Sequence, residues 1–159
     1  MARLHVEDLD ARLLPGACSV AASIVPPNLA LAGRGTGAFV HVPGVPEGQR
    51  YDLLGSAILS SLGRVTVKGS VDSVGFILHG HAWGTLILSN AKGSVTLRLE
   101  GPEQNGFALL PGRFTFDVAG GTGSYQHVGG HGTLQLIIAP AVQQGTFTLT
   151  VGLFAMPLG

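Results

Sequence analysis

Charged side chains are scarce in this sequence. The 159 residues include nine basic and nine acidic side chains, 11% of the chain, whereas a typical soluble domain has about 25%. The formal net charge is zero, and the only lysines are Lys68 and Lys92. Nucleic-acid binding depends on clustered lysine and arginine side chains that face the phosphates. The sequence therefore argues against a nucleic-acid partner.

Cysteine and the common catalytic motifs are also rare or missing. Cys18 is the single cysteine, which excludes an intrachain disulfide and a zinc ribbon. No G-x-S-x-G nucleophile elbow and no phosphate-binding loop occurs. The sequence therefore indicates neither a cofactor nor a catalytic constellation, and it leaves open whether the protein is an enzyme.

Long apolar runs are absent as well. No run approaches the ~20 residues that a membrane-spanning helix requires. A membrane β-barrel would have aromatic girdles at both interfaces, but this chain has one Trp and two Tyr. We therefore expect no membrane span.

The sequence is rich in glycine and in alternating apolar residues. It contains 25 glycines, and 45% of its residues are hydrophobic. Apolar and polar residues alternate with a period of two in several glycine-bounded segments, including residues 64–68, 95–100, 113–118 and 146–151. This period is typical of strands with one buried face. We predict an all-β domain, a small closed antiparallel β-barrel of about eight strands, with a two-sheet sandwich as the alternative.

Glycine-containing segments between the alternating runs indicate the turns. Residues 89–93 read Ser-Asn-Ala-Lys-Gly and predict a short hairpin in which Gly93 adopts a positive φ. Residues 119–132 contain more glycine than a simple hairpin requires. We expect a tight corner or a β-bulge there, where a strand bends as the barrel closes.

The first 28 residues differ from the rest of the chain. They are interrupted by Pro15 and end near Pro26 and Pro27, and they lack the basic start and unbroken apolar centre of a signal peptide. The stretch VEDLDARLLPGA resembles a short N-terminal motif of exported or surface proteins from one bacterial phylum. That resemblance implies an exported or cell-surface protein, although a cytoplasmic location stays open. We divide the chain into a tail, 1–28, and one barrel domain, 29–159.

The glycine pattern of the barrel domain resembles bacterial relatives of the allene oxide cyclase and dirigent barrels. The similar positions are Gly55, Gly63, Thr66 and Gly69 in a first block, residues 90–93 in a hairpin, and residues 120–125 in a G-G-T-G-x-F-like corner. The hairpin lacks the acidic residue of the family pattern, and Tyr125 replaces the phenylalanine of the corner. The resemblance implies a barrel, commonly a trimer or dimer, but the catalytic acids of the plant enzymes match no motif here.

Histidines provide the first candidate site. His79 and His81 form an H-x-H pair on one face of a predicted strand, with Trp83 in the same phase. With His127 and His131 of the glycine-rich corner they could form a four-histidine metal site. The sequence shows no carboxylates nearby to orient metal-bound imidazoles. We therefore expect local hydrogen bonding and no metal, and we keep these side chains as ligand-binding candidates.

Asp117 and the two tyrosines complete the candidates. Asp117 alternates with apolar neighbours, which predicts a solvated outer position or, alternatively, a buried acid or base that lines the barrel. Tyr125, in the glycine-rich corner, and Tyr51 could each reach into a mouth of the barrel. The ligand-binding candidates are thus Tyr125, His127, His79, His81, Trp83 and Asp117.

Two functions from different classes fit this sequence. The first is a non-catalytic barrel that binds a small apolar ligand or has a structural role. The alternative, implied by the resemblance, is a cyclase or isomerase acting on a small hydrophobic intermediate inside the barrel. Some strands are apolar on both faces, as at 76–78 and 136–138. Together with the low charge, this favours a homo-oligomer, trimer or dimer.

Overall fold

The computed structural model describes residues 31–43, 48–74, 81–101, 112–138 and 144–152. Within these ranges the chain forms eight β-strands, one short 3-10 turn at Gly123–Tyr125, and no α-helix. The strands are β1 Gly33–Val42, β2 Gly48–Leu59, β3 Gly63–Val74, β4 His81–Asn90, β5 Gly93–Glu100, β6 Arg113–Gly121, β7 His131–Ile138 and β8 Gln144–Gly152. The predicted tail, 1–28, lies outside the described residues.

The eight strands form a closed antiparallel barrel in sequence order. Each strand pairs with its neighbours in the chain, and β1 also pairs with β8, where Gly33 lies opposite Val151. Closure gives every strand two partners, so the sheet has no unpaired edge. The predicted closed barrel of about eight strands is confirmed, and the two-sheet sandwich is not the architecture that forms.

Alternating burial shows why these segments become strands. In β5, Val95, Leu97 and Leu99 are fully buried inside the barrel, whereas Arg98 and Glu100 are exposed on its outer face. Successive side chains of a strand point to opposite faces, so a period of two in sequence becomes an apolar interior and a polar exterior. The strands predicted at residues 64–68, 95–100, 113–118 and 146–151 are confirmed.

The meander gives the barrel two distinct ends. At the lower end lie the start of β1, the turns at 60–62 and 91–92, and the corner at 122–130. At the upper end β1, β3, β5 and β7 finish, and β2, β4, β6 and β8 begin. His81, the first residue of β4, is therefore at the upper end, whereas the glycine-rich corner is at the lower end.

Phenylalanine rings and strand glycines fit together in the interior. The ring of Phe147 lies against β1 and β2, because a Cβ added at Gly37 would be 2.6 Å from its Cε1 and one added at Gly55 would be 3.0 Å from its Cζ. The ring of Phe116 lies against Gly132 in the same way, at 2.7 Å. Glycines thus provide space for large rings in the described interior.

The hairpin and the bulge occur where the sequence places them. Gly93 has a φ of 143° at the turn between β4 and β5, so the predicted positive φ is confirmed. In the β5–β6 pair Thr96 lies opposite Gly120 but Leu97 lies opposite Val118. The extra residue, Ala119, forms a β-bulge, which bends the strand just before the corner.

Candidate functional site

The structure distributes the sequence-predicted candidates over different parts of the barrel. His79 lies outside the described residues. Tyr125 and His127 belong to the lower corner, and His81 and Trp83 lie on β4 near the upper end. Asp117 is exposed on the outer face of β6, opposite Arg98 and His131 in the neighbouring strands. The described candidates therefore do not form one site.

His81 takes part in a small cluster on the outer face of the upper end. Its Nε2 lies 2.8 Å from Glu100 Oε1, and its ring stacks on Trp83 with a centroid distance of 5.3 Å. Trp83 and Glu100 are directly opposite each other in the β4–β5 pair. No group of three or more potential metal-binding side chains occurs among the described residues. His81 is thus engaged by a carboxylate and an indole.

Tyr125 closes the lower end of the barrel. Its side chain is buried, together with Leu31, Leu62 and Val128. The side-chain amide of Asn90 donates hydrogen bonds to the Tyr125 hydroxyl at 3.0 Å and to the Leu62 carbonyl at 2.8 Å. The amide therefore ties the corner to the turn between β2 and β3.

The upper end contains a group of inward polar side chains of which the sequence analysis singled out Tyr51 alone. His41, Gln49, Tyr51 and Ser73 share the inward face of their strands with apolar residues such as Phe39. We call His41, Gln49, Tyr51 and Phe39 the upper-mouth cluster. Tyr51 donates its phenolic hydrogen to Gln49 Oε1. The centroid of its ring lies 5.8 Å from that of the Phe39 ring and 5.4 Å from that of the His41 ring.

Local sequence and strand register together create the upper-mouth cluster. Gln49 and Tyr51 are two residues apart on β2, so they face the same side of the sheet. His41 lies directly opposite Tyr51 in the β1–β2 pair. The alternation from Tyr51 to Leu59 was a usable signal for the inward direction of Tyr51. The position of His41 follows only from the register.

Burial gives the Tyr51 phenol a distinct electrostatic character. Loss of hydration disfavours the phenolate, which raises the pKa of Tyr51 above its ordinary value of 10.0. The phenol is therefore protonated throughout the neutral range and acts as a hydrogen-bond donor. This is a property of a binding or orienting group rather than of a base.

An ion pair supports the same region from outside. Arg50 and Asp72 lie opposite each other in the β2–β3 pair. The Arg50 guanidinium binds the carboxylate with two contacts, Nε to Oδ1 at 2.7 Å and Nη2 to Oδ2 at 2.9 Å. A bidentate pair of this kind fixes both geometry and register. It lies next to Tyr51 along β2 and holds that part of β2 against β3.

Protein-family models, curated proteins and solved structures include none that this chain matches. The similarity to allene oxide cyclase and dirigent barrels therefore stays a prediction from the sequence. None of the described residues belongs to a helix long and apolar enough to cross a membrane.

Proposed function

We propose that this protein is a non-catalytic barrel that binds a small, mainly apolar molecule with one oxygen function at the upper end. The observation that supports this proposal is the upper-mouth cluster. Polar side chains face inward there, next to the aromatic ring of Phe39, in a barrel whose interior is otherwise largely Leu, Val and Phe. Ligand sites typically combine an apolar lining with a few convergent polar groups.

The hydrogen-bonding capacity of the cluster defines the ligand class. The phenolic hydrogen of Tyr51 is used by Gln49 Oε1, while the phenol oxygen has lone pairs and the Gln49 amide nitrogen has two further donors. These groups suit a hydroxyl or carbonyl oxygen. The rings of Phe39, Tyr51 and His41 suit the apolar part of the same molecule. A ligand with a net charge would lack a counter-ion among these four side chains.

The close packing in the lower two thirds of the barrel favours a ligand site at the upper mouth rather than in the barrel centre. Phe147 and Phe116 fill the space beside the strand glycines, and Tyr125 closes the opposite end with a buried ring. A ligand in the centre would have to displace these rings, at a cost of several kcal/mol in lost packing.

A competition assay tests this proposal. The fluorescence of N-phenyl-1-naphthylamine, a neutral apolar dye, reports its binding to the protein, and long-chain alcohols and ketones are added to displace the dye. The two tyrosines are matched variants, since both are buried and the hydroxyl of each is hydrogen-bonded to a side-chain amide, that of Gln49 or that of Asn90. We expect Tyr51→Phe to weaken an oxygenated competitor about fivefold, the loss of one hydrogen bond, while Tyr125→Phe leaves its affinity unchanged. Equal effects of both variants, or no saturable dye binding, would refute ligand binding at the mouth.

The cyclase or isomerase alternative is favoured by one feature of the cluster. A protonated phenol beside an imidazole could stabilise negative charge that develops on an oxygen. However, no carboxylate faces inward from the described strands, so the described interior offers no strong general base. Chromatography distinguishes the two functions, because a binding protein returns the bound competitor unchanged and an isomerase does not.

We further propose that the protein self-associates as a dimer or trimer through the upper part of the outer face of β1 and β2, around Val40 and Leu54. Val40 and Leu54 are 52% and 60% exposed there, and Ala38 lies directly opposite Leu54. Such a contiguous apolar surface is typical of an interface. A second copy is the favoured occupant because zero net charge removes the repulsion between copies.

Light scattering with gel filtration tests self-association. We expect a mass of two or three chains for the wild type and 16.3 kDa, that of one chain, for Leu54→Asp. The exposed Ile137, on β7 and three strands from β2, provides the matched control variant Ile137→Asp. A wild-type monomer at micromolar concentration would disprove the proposal.

An exported or surface location is proposed from the N-terminal motif alone. The motif lies within residues 1–28, outside the described part of the chain. Fractionation of cells that produce the natural full-length protein is the direct test. Recovery only in the cytoplasm would refute export.

A further inference from the structure

A groove on the outside of the barrel has the chemistry of an anion site. It has a volume of about 230 Å³ and crosses β1, β2 and β3 near the lower end. Its polar and apolar lining comes mainly from Arg34, Thr36, Ser56, Ile58 and Arg64. These side chains lie on the outer face, so the groove is separate from the upper-mouth cluster.

Strand register brings the two arginines to the same groove. Ile58 on β2 lies opposite Arg34 on β1 and opposite Arg64 on β3. All three side chains therefore point to the outer face in one row across the sheet, and the arginines are two strands apart, about 10 Å between backbones. Ile58 is 63% exposed between them. The groove thus has a cationic group on each side of an apolar floor.

Neither guanidinium is neutralised by the described part of the protein. No carboxylate lines the groove, and neither Arg34 nor Arg64 forms an ion pair or hydrogen bond with another described residue. Arg50, on the same sheet, is by contrast bound by both oxygens of Asp72. The groove therefore contains two positive charges whose donors are available to a ligand.

Hydroxyl groups extend the donor set beside the arginines. Thr36 and Ser56 lie opposite each other in the next row of the β1–β2 pair. Both are exposed on the outer face, and both line the groove. Their hydroxyls can donate to an anion that is already held by the guanidiniums.

We propose that this groove binds a tetrahedral oxyanion, the phosphate or sulfate group of a small ester. A guanidinium binds two oxygens at once through its planar fork. The groove offers two guanidiniums on opposite sides and two hydroxyls as donors. A carboxylate has only two acceptor oxygens for these donors, whereas a phosphate or sulfate group has three or four. The exposed Ile58 gives the ester's apolar substituent a surface to contact.

Calorimetric titration of the full-length protein with potassium phosphate and with phenyl phosphate tests the proposal. We expect saturable binding at one site per chain, and weaker binding at high salt because the groove is exposed. Arg34→Gln and Arg64→Gln should each lower the affinity about tenfold, the typical loss of a hydrogen bond to a charged group. Both side chains are on the surface, so thermal unfolding should confirm that the variants fold.

Two further variants make the outcome decisive. Arg98→Gln removes an arginine from the outer face of β5, away from the groove, and should leave binding unchanged. Ile58→Ala should weaken phenyl phosphate but not inorganic phosphate, which distinguishes an ester ligand from a free ion. Equal losses for Arg98→Gln and Arg34→Gln, or binding that survives the double arginine variant, would overturn the site. Dye binding at the upper mouth is unaffected in either case.

Discussion

The two ends of the barrel use the same residue type in different ways. At the lower end the Tyr125 hydroxyl is bound by Asn90, 35 residues away in the chain, and the same amide holds the Leu62 carbonyl. At the upper end the Tyr51 hydroxyl binds Gln49, which is two residues away on the same strand. The hydrogen bond at the lower end joins two separate parts of the fold, whereas the hydrogen bond at the upper end lies within strand β2. Tyr125 is therefore structural, and Tyr51 has freedom to exchange its partner.

The backbone strengthens this contrast at the lower end. Ser124 donates its N–H to the Lys92 carbonyl at 2.9 Å, and Thr122 donates to the Ser94 carbonyl at 2.8 Å. The Thr122 and Ser94 hydroxyls lie 2.8 Å apart in addition. The corner is thus bonded to the β4–β5 turn through both backbone and side chains. We expect substitutions at the lower end to affect folding and substitutions at the upper end to affect binding.

The largest expected effect is at Gly93. A Cβ there would lie 2.1 Å from the Thr122 carbonyl oxygen, and the φ of 143° disfavours any other residue. We expect Gly93→Ala to lower the free energy of unfolding by about 3 kcal/mol or more. Gly63, with a φ of 69° and no atom within 4 Å of an added Cβ, is the control, and Gly63→Ala should cost about 1 kcal/mol. Urea unfolding of both variants measures the difference, and equal losses would contradict the close contact.

Removing one hydroxyl at each end should produce unequal losses of stability. Tyr125→Phe deprives the part-buried Asn90 amide of a partner and should cost about 1–2 kcal/mol. Tyr51→Phe should cost less than about 1 kcal/mol, because Gln49 is only half-buried and can turn to water. Urea unfolding at neutral pH checks the order. A larger loss for Tyr51→Phe would reverse the structural assignment of the two ends.

Alkaline pH should affect the upper end through Tyr51. Because burial raises the pKa of Tyr51 above 10.0, the folded protein holds the phenolic proton more tightly than the unfolded chain. This contribution to stability is complete below pH 10 and is lost as the pH rises through the folded-state pKa. The Tyr51→Phe variant should therefore lose less stability than the wild type between neutral pH and pH 11. Identical pH dependence in urea unfolding would exclude the burial effect.

The smallest effect should come from the exposed contact between His81 and Glu100 at the upper end. The His81 and Glu100 side chains are 38% and 58% exposed, and surface pairs typically contribute between about 0 and 1 kcal/mol. We expect Glu100→Gln to change the free energy of unfolding by less than about 0.5 kcal/mol. A loss above 1 kcal/mol in urea unfolding would show that the cluster with Trp83 is part of the fold's stability.

The two-residue period of the sequence was sufficient to predict the barrel, but it was not sufficient to predict the candidate site. Alternation at Val95, Leu97 and Leu99 predicts their burial directly, and the excess of glycine near 119–132 predicts the bend at Ala119. Contacts between strands depend on register instead. The proximity of His41 to Tyr51 and the common row of Arg34 and Arg64 are set by how β1, β2 and β3 align, which the period of two leaves undetermined.

The candidate histidines illustrate the same limit. Composition alone allows His81 and His127 to meet, because both are in polar or glycine-rich surroundings. The meander places them at opposite ends, since β4 begins at His81 and ends beside the corner that contains His127. A strand of ten residues spans about 30 Å. Distance along the barrel axis, rather than residue chemistry, therefore decides which side chains can act together.

The seam between β1 and β8 has a consequence for the order of folding. Each of the other seven strand pairs joins neighbours in the chain, but the seam joins Gly33 to Val151. Loop-closure entropy grows with the logarithm of loop length, so a separation about ten times longer than a hairpin's costs only about 2 kcal/mol more. We expect the seam to form last and to open first. Native-state hydrogen exchange checks this, and amides of β1 and β8 that outlast those of β3 and β4 would refute it.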